Sequence, residues 1–235
     1  QTVTVAITDD VLFEGNESFS IDLTGASGAS ISDNQGVGTI IDNEVLPTLN
    51  ISDATTGEGD NLVFTLSLTG ASQDTVSVNI QSSDGSALSS SDYAAYSQAI
   101  VFTPGQTLQV ITITSSQDTI FENTETFSVN LSGVSNASLG TSIGVATIND
   151  DDSAPSFSID DVSVNEALGA LIFTVTKTGA TDVTATVNYA LNDINALSST
   201  DYTAQSGVLT FAPNTTSQTV TVAITDDVLF EGNES

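Results

Sequence analysis

The stretch LQVITITSSQDTIFENTETFSVNL, Leu108–Leu131, decides the fold. Its two ends, LQVITIT and TFSVNL, alternate apolar and polar residues at period two, the pattern of strands with one buried face. Between them lies a short loop bearing Asp118, Glu122 and Glu125. A strand arrives, an acidic loop turns the chain, and a second strand leaves. The same alternation runs through Thr2–Thr8 (TVTVAIT), Ser18–Leu23 (SFSIDL), Leu62–Leu68 (LVFTLSL) and Thr75–Ile80 (TVSVNI). It returns in Leu171–Lys177 (LIFTVTK) and Val183–Tyr189 (VTATVNY). Val, Ile, Thr and Phe fill these runs, while Gly, Asn, Asp and Ser separate them. No helical period competes. Strands with one apolar face must bury it against a second sheet, so the fold class is all-β, a sandwich of two sheets face to face.

The acidic loop recurs. Phe121 of IFENTETF matches Phe13 of LFEGNESF, 108 residues earlier, and Phe230, 109 residues later. Gln1–Ser18 and Gln218–Ser235 are identical over all eighteen residues, an offset of 217. Pro47 pairs in the same way with Pro155, Glu58 with Glu166, SDY at Ser91–Tyr93 with TDY at Thr200–Tyr202, and FTPG at Phe102–Gly105 with FAPN at Phe211–Asn214. The expected organisation is therefore the back part of one unit over 1–46, a complete unit over 47–154 and the front part of the next over 155–235. Two alternating unit types make a linear repeat array, and the identical ends read as a window on one covalent array.

Thirty acids face a single base, Lys177, for a formal charge of −29. That balance excludes nucleic acid and anionic membrane surfaces as partners and favours metal cations. No run approaches the roughly 20 apolar residues of a membrane span, so no direct membrane insertion is expected. Cys and His are absent, which removes disulfides, thiolate sites and the usual base of a nucleophilic triad. Carboxylate pairs alone could hydrolyse glycosides, but no Trp and only four Tyr are present to line a sugar cleft. An enzyme is not expected.

What the acids can do follows from their placing. Asp9 and Asp10 end one strand, and Glu14 and Glu17 follow in the same loop. The strands Ser18–Leu23 and Gly36–Ile41 run away and return antiparallel, so Asp42, Asn43 and Glu44 come back to the end holding the first acids. Oxygen donors converging from separate loops, with no nitrogen or sulfur, suit Ca2+ and its 6–8 flexible contacts better than Mg2+. Without a cation, such a cluster repels itself.

SSDGSALSSSDY, VFTPGQT, IFENTETFSVNL and ATINDDD in the complete unit, with their counterparts TDYTAQSGVLTFAPNTT and GVGTIIDNE, resemble the Calx-β domain family. The resemblance covers nearly the whole chain. It implies tandem immunoglobulin-like sandwiches that bind calcium at one end, as in sodium–calcium exchangers and in long bacterial extracellular surface proteins and adhesins. Carried over by position, the metal residues it implies are Asp9, Asp10, Glu14, Glu17, Asp42 and Glu44 in the first segment. In the complete unit they are Glu58, Asp92, Asp118, Glu122, Glu125, Asp150, Asp151 and Asp152. In the last they are Glu166, Asp201, Asp226, Asp227, Glu231 and Glu234. Gln117 departs from the pattern by replacing the first acid of the pair, and Asn43 by replacing the middle acid of the closing run.

The closing run Asp150–Asp152 leads through Ser153 and Ala154 into Pro155, as Asp42–Glu44 leads through Val45 and Leu46 into Pro47. Calcium held there would stiffen the junction with the next repeat. The functional expectation is a calcium-binding segment of a secreted surface fibre or filament, extracellular and bacterial, whose partners are neighbouring repeats and copies with which it self-assembles. The stalk of a large adhesin and a calcium-sensing module stand as alternatives.

Overall fold

The computed structural model describes residues 1–227. Glu231 and Glu234 lie outside the described residues. In chain order the strands are β1 (Leu12–Phe13), β2 (Glu17–Asp22), β3 (Gln35–Ile40), β4 (Thr48–Ile51), β5 (Ala54–Gly57), β6 (Asn61–Leu68) and β7 (Ala71–Ser72). There follow β8 (Val76–Ser83), β9 (Ser97–Phe102), β10 (Leu108–Thr114), β11 (Ile120–Phe121), β12 (Glu125–Ser135), β13 (Ser138–Leu139) and β14 (Ile143–Asn149). The last are β15 (Ser156–Ile159), β16 (Ala170–Thr178), β17 (Ala180–Thr181), β18 (Ala185–Ala190), β19 (Ser206–Phe211) and β20 (Ser217–Ala223). They divide between two compact units: Gln1–Gln117 with Glu125–Asn149, and Asp118–Thr124 with the chain from Asp150 onward.

The first unit contains the sandwich. One sheet has the order β10-β6-β4-β13 and the other β5-β14-β12-β8-β9. Alternation fixes the inward faces: on β6, Leu62, Phe64 and Leu66 are fully buried, while Val63 between them is 51% exposed. From the other sheet come Val76, Val78, Ile80, Phe102, Phe127, Val129 and Ile148 to complete one core. Each such side chain contributes about 1.5–3 kcal/mol of burial. Between β4 and β5 the chain steps from one sheet to the other. Ser52 Oγ accepts the Thr65 N–H (2.9 Å) and Asp53 Oδ1 accepts the Val145 N–H (2.8 Å), satisfying backbone donors that the step leaves over. The hairpin β2–β3 forms a separate pair, and β1 pairs parallel with β7.

Thr2–Thr8 is not a strand, contrary to its pattern. Val3, Val5 and Ile7 are 76%, 49% and 66% exposed, and no strand pairs with them among the described residues. The identical residues further along form β20, paired antiparallel with β16, and bury Val220 and Val222. Alternation supplies the face; a partner strand makes the ladder.

The second unit contains the sheet β15-β16-β20 and the pairs β18–β19 and β11–β17. Val175, Phe211, Val220 and Val222 are its buried apolar residues among those described, with the Phe157 and Phe211 rings 4.9 Å apart. Lys177 occupies the β16 position that Leu68 holds on β6. It is 3% exposed, and its ammonium has no hydrogen-bond partner.

Candidate metal centre

In the first unit, β2 and β3 pair with Glu17 opposite Ile40, which returns the chain to the loop it left. Asp42 ties the two segments together. Its Oδ2 accepts the N–H groups of Glu14 (2.9 Å) and Gly15 (2.7 Å), its Oδ1 accepts that of Glu44 (3.0 Å), and its own N–H donates to Asn16 Oδ1 (3.1 Å). Those donors, led by Glu44, hold its carboxyl at about 2. Its neighbours move the other way. Loss of hydration in the loop, then the charges of Asp10, Glu17 and Asp42, push Glu14 up. Glu44 rises through partial burial, its hydrogen bond with Asp42, and the charges of Asp42, Asp9 and Asp10. All six acids expected in the first segment thus fall within one electrostatic cluster.

The complete repeat's own acids in this unit also share an end. Glu58 follows β5 and donates its N–H to Asn149 O (3.1 Å), at the end of β14. Gly59 donates to Ser116 O (3.0 Å), and Ser116 donates to Asp92 O (2.8 Å). Glu125 opens β12 opposite Ile148. Gln117, standing where an acid was expected, lies over the turn at Gly59. That glycine has φ +71°, and a Cβ there would sit 2.8 Å from Gln117 Oε1. The positive φ is what favours glycine there, since the glutamine side chain can give way.

In the second unit, Asp118 Oδ1 accepts the Ile120 N–H (2.7 Å), as Asp10 Oδ1 accepts that of Leu12 (2.8 Å). Partial burial raises the Asp152 carboxyl, and the charges of Asp150, Asp151 and Asp118 raise it further. Asp150 Oδ1 and Asp152 Oδ2 are shielded from solvent with no hydrogen-bond partner. Orphaned anionic oxygens beside further carboxylates are costly unless a cation meets them. Such an all-oxygen donor set fits a hard divalent ion, Ca2+ above all. Glu122 belongs to the same short segment as Asp118.

Further along this unit, Thr225 donates to Asp201 O (2.8 Å) and Ile224 donates to Gly169 O (3.1 Å). Asp201, Asp226 and Asp227 therefore lie together at the end where β20 finishes. Glu166 is on the same side, but it opens a 3-10 turn, Glu166–Leu168, rather than following a strand as Glu58 does. β5 owes its extended form to its parallel partner β14, which has no counterpart among the described residues of this unit.

Pattern reading missed Asp84 and Asp193. Each accepts a tyrosine hydroxyl, Tyr93 (2.6 Å) and Tyr202 respectively, and a serine N–H within the same turn. The tyrosine hydrogen bonds hold both carboxyls low. The Tyr93 ring stacks on Phe127 at 3.7 Å, so the tyrosine of the DY motif anchors the loop. Asp92 Oδ2 accepts the Leu88 N–H (2.6 Å), and Asp201 Oδ2 that of Leu197 (2.7 Å). The spacing Asp-x8-Tyr, repeated in both units, was the available signal.

The Calx-beta domain profile matches residues 1–44, 41–154 and 149–235. Extracellular matrix protein 3 of Lytechinus variegatus is 29% identical over 251 aligned residues, covering 98% of this chain and 8% of that protein. Sodium/calcium exchanger 1 of Canis lupus familiaris is 28% identical over 183, covering 68% of this chain and 19% of the exchanger. The chain therefore spans under a fifth of either relative. Among solved structures, CBD12 from CALX1.2 is similar at 24% identity with a TM-score of 0.44, covering 77% of this chain and 76% of that one.

Proposed function

This chain belongs to the Calx-beta domain family, and we propose that it is a calcium-binding structural segment of an extracellular fibre, with calcium stiffening the junctions between its repeats. The observation that carries the proposal is the pair of buried, unpartnered oxygens on Asp150 and Asp152. They stand on the run that leads straight into Pro155. In the first unit Asp9, Asp10, Glu14, Glu17, Asp42 and Glu44 would hold the metal; in the second, Asp118 and Asp150–Asp152 would. Bound calcium supplies the positive charge these clusters lack. The residues do the rest. Asp42 fixes the loop by accepting three backbone N–H groups, and the closing runs carry the ligands onto the linkers.

No step of this role is catalytic. A matrix protein among the relatives supports a place outside the cell, and the exchanger keeps a sensing role as the second reading. The partners are neighbouring repeats and, in a filament, further copies of the chain. Titration calorimetry and thermal melts with calcium, magnesium and chelator test the proposal. Calcium should raise the melting temperature, as any ligand of the folded state alone must. Asp42→Asn should weaken calcium binding about 10- to 100-fold, the usual cost of losing a group that orients metal ligands. Superimposable melts with calcium and chelator would remove the reading.

A further inference from the structure

The acidic loops carry a feature that ion binding does not require. Inside the first unit, β1 of one sequence repeat pairs parallel with β7 of the next, Leu12 opposite Ala71 and Phe13 opposite Ser72. Inside the second unit, β11 pairs parallel with β17 in the same way, Ile120 opposite Ala180 and Phe121 opposite Thr181. The details repeat as well. Phe13 O accepts the Gln73 N–H (3.0 Å) and the Ser72 hydroxyl (3.4 Å). Phe121 O accepts the Asp182 N–H (3.4 Å) and the Thr181 hydroxyl (2.8 Å). Each hydroxyl in turn accepts a backbone N–H two residues on, from Asp74 (3.0 Å) and Val183 (3.1 Å).

Ser72 and Thr181 are 3% and 4% exposed, and they are two of the four buried polar or charged residues among those described. A buried hydroxyl must be satisfied, and in both repeats the preceding loop's phenylalanine carbonyl satisfies it. Two-residue pairings are weak when isolated. The same pairing, register and hydroxyl at both joints are not accidental.

The mini-strands are flanked by candidate ligands. Asp10 Oδ1 accepts the Leu12 N–H where β1 begins, and Asp42 Oδ2 accepts the Glu14 and Gly15 N–H groups where it ends. Asp118 does for Ile120 what Asp10 does for Leu12. We infer that the aliphatic–Phe pair of each acidic loop is a docking strand, whose partner is the Gly-Ala-Ser/Thr edge of the following repeat, and that calcium in the loop tightens this latch. The inference rests on the calcium reading above. Repulsion among the loop carboxylates loosens the entry and exit of the docking strand; a cation removes the repulsion and presents the strand in register. The junction is then held by main-chain hydrogen bonds as well as by the linker.

The test is amide exchange by NMR on the 235-residue chain, with calcium, with magnesium and with chelator, beside calorimetry on the same samples. Calcium should slow exchange of the Gln73 and Asp182 amides about tenfold, the factor of one net hydrogen bond. Thr181→Val should weaken calcium binding by no more than the same tenfold, as linkage requires, and leave the Phe64 amide of β6 unchanged, while Asp182 loses most of its calcium-dependent protection and Gln73 keeps its own. Ser72→Ala should do the converse. Calcium binding that leaves both amides unchanged would overturn the latch but not the calcium role. Absence of calcium binding would overturn both. Undiminished protection in the two variants would show that the hydroxyl edge is not the dock.

Discussion

Asp42 and its neighbours show how one carboxylate cluster titrates in two directions. Asp42 accepts three backbone donors and is held at about 2, whereas Glu14 and Glu44 beside it are raised above their ordinary 4.5, as Asp152 of the second unit is above its ordinary 3.8. A raised acid binds its proton more tightly when folded. Its ionisation opposes folding at neutral pH, and that opposition disappears as pH falls through the raised value, fully below the ordinary one. A lowered acid stabilises above its ordinary value, and the stabilisation is lost as pH falls through the folded one. For the metal-free chain the raised acids predict stability that grows as pH falls from 7 through their raised values, and the lowered ones, Asp42 and the tyrosine-bound Asp84 and Asp193, predict a loss once pH falls below their ordinary 3.8, for Asp42 through about 2. With saturating calcium the acid-side rise should invert, because protons then compete with the metal. Melting temperatures across pH in chelator and in calcium check this, and a metal-free optimum at or above pH 7 would contradict it.

At the scale of elements, the clearest lesson is a sequence that occurs twice with two outcomes. TVTVAIT has no ladder at Thr2–Thr8, yet the same residues form most of β20. Val222→Ala should cost about 2 kcal/mol, the burial of a valine side chain, while Val5→Ala, at the matching position, should cost close to nothing. Val222 is 2% exposed and Val5 is 49% exposed; chemical denaturation of the two variants decides it, and equal losses would refute the pairing argument. The long central strands β6, β8, β10, β12 and β16 were legible because alternation over six or more residues leaves little choice. β4 and β5 were not, because the chain changes sheets between two short runs and no periodicity survives the step. The docking strands were invisible for another reason: two residues carry no period, and their partners lie 59 or 60 positions away. The acids were legible as a cluster because the hairpin β2–β3 could be inferred. The tyrosine-bound Asp84 and the hydroxyl edge were not, since their roles depend on one specific contact each.

For the whole molecule, thirty acids against one base pose a choice between two physical pictures. If the acids only keep a β surface soluble, the charge acts as a diffuse field, and any salt that shortens the Debye length relieves it. At 0.15 M that length is about 8 Å, comparable with the spacing of neighbouring surface charges. If the acids are collected into ion sites, as at Asp42 and at Asp150–Asp152, a few bound cations remove most of the repulsion and monovalent salt cannot substitute for them. The pictures differ in sign. Sodium chloride should stabilise the metal-free chain, because screening weakens repulsion among its carboxylates. In saturating calcium the same salt should have no effect or a destabilising one, because it now screens the attraction between ion and carboxylate. Magnesium at equal concentration should resemble sodium chloride rather than calcium, since it keeps its water and suits crowded carboxylates poorly. Melts over a sodium chloride series, in chelator, in calcium and in magnesium, distinguish the two. Parallel upward slopes in all three would mean that the charge is a field and not a set of sites, and the junction role assigned to Asp150–Asp152 would fall with it.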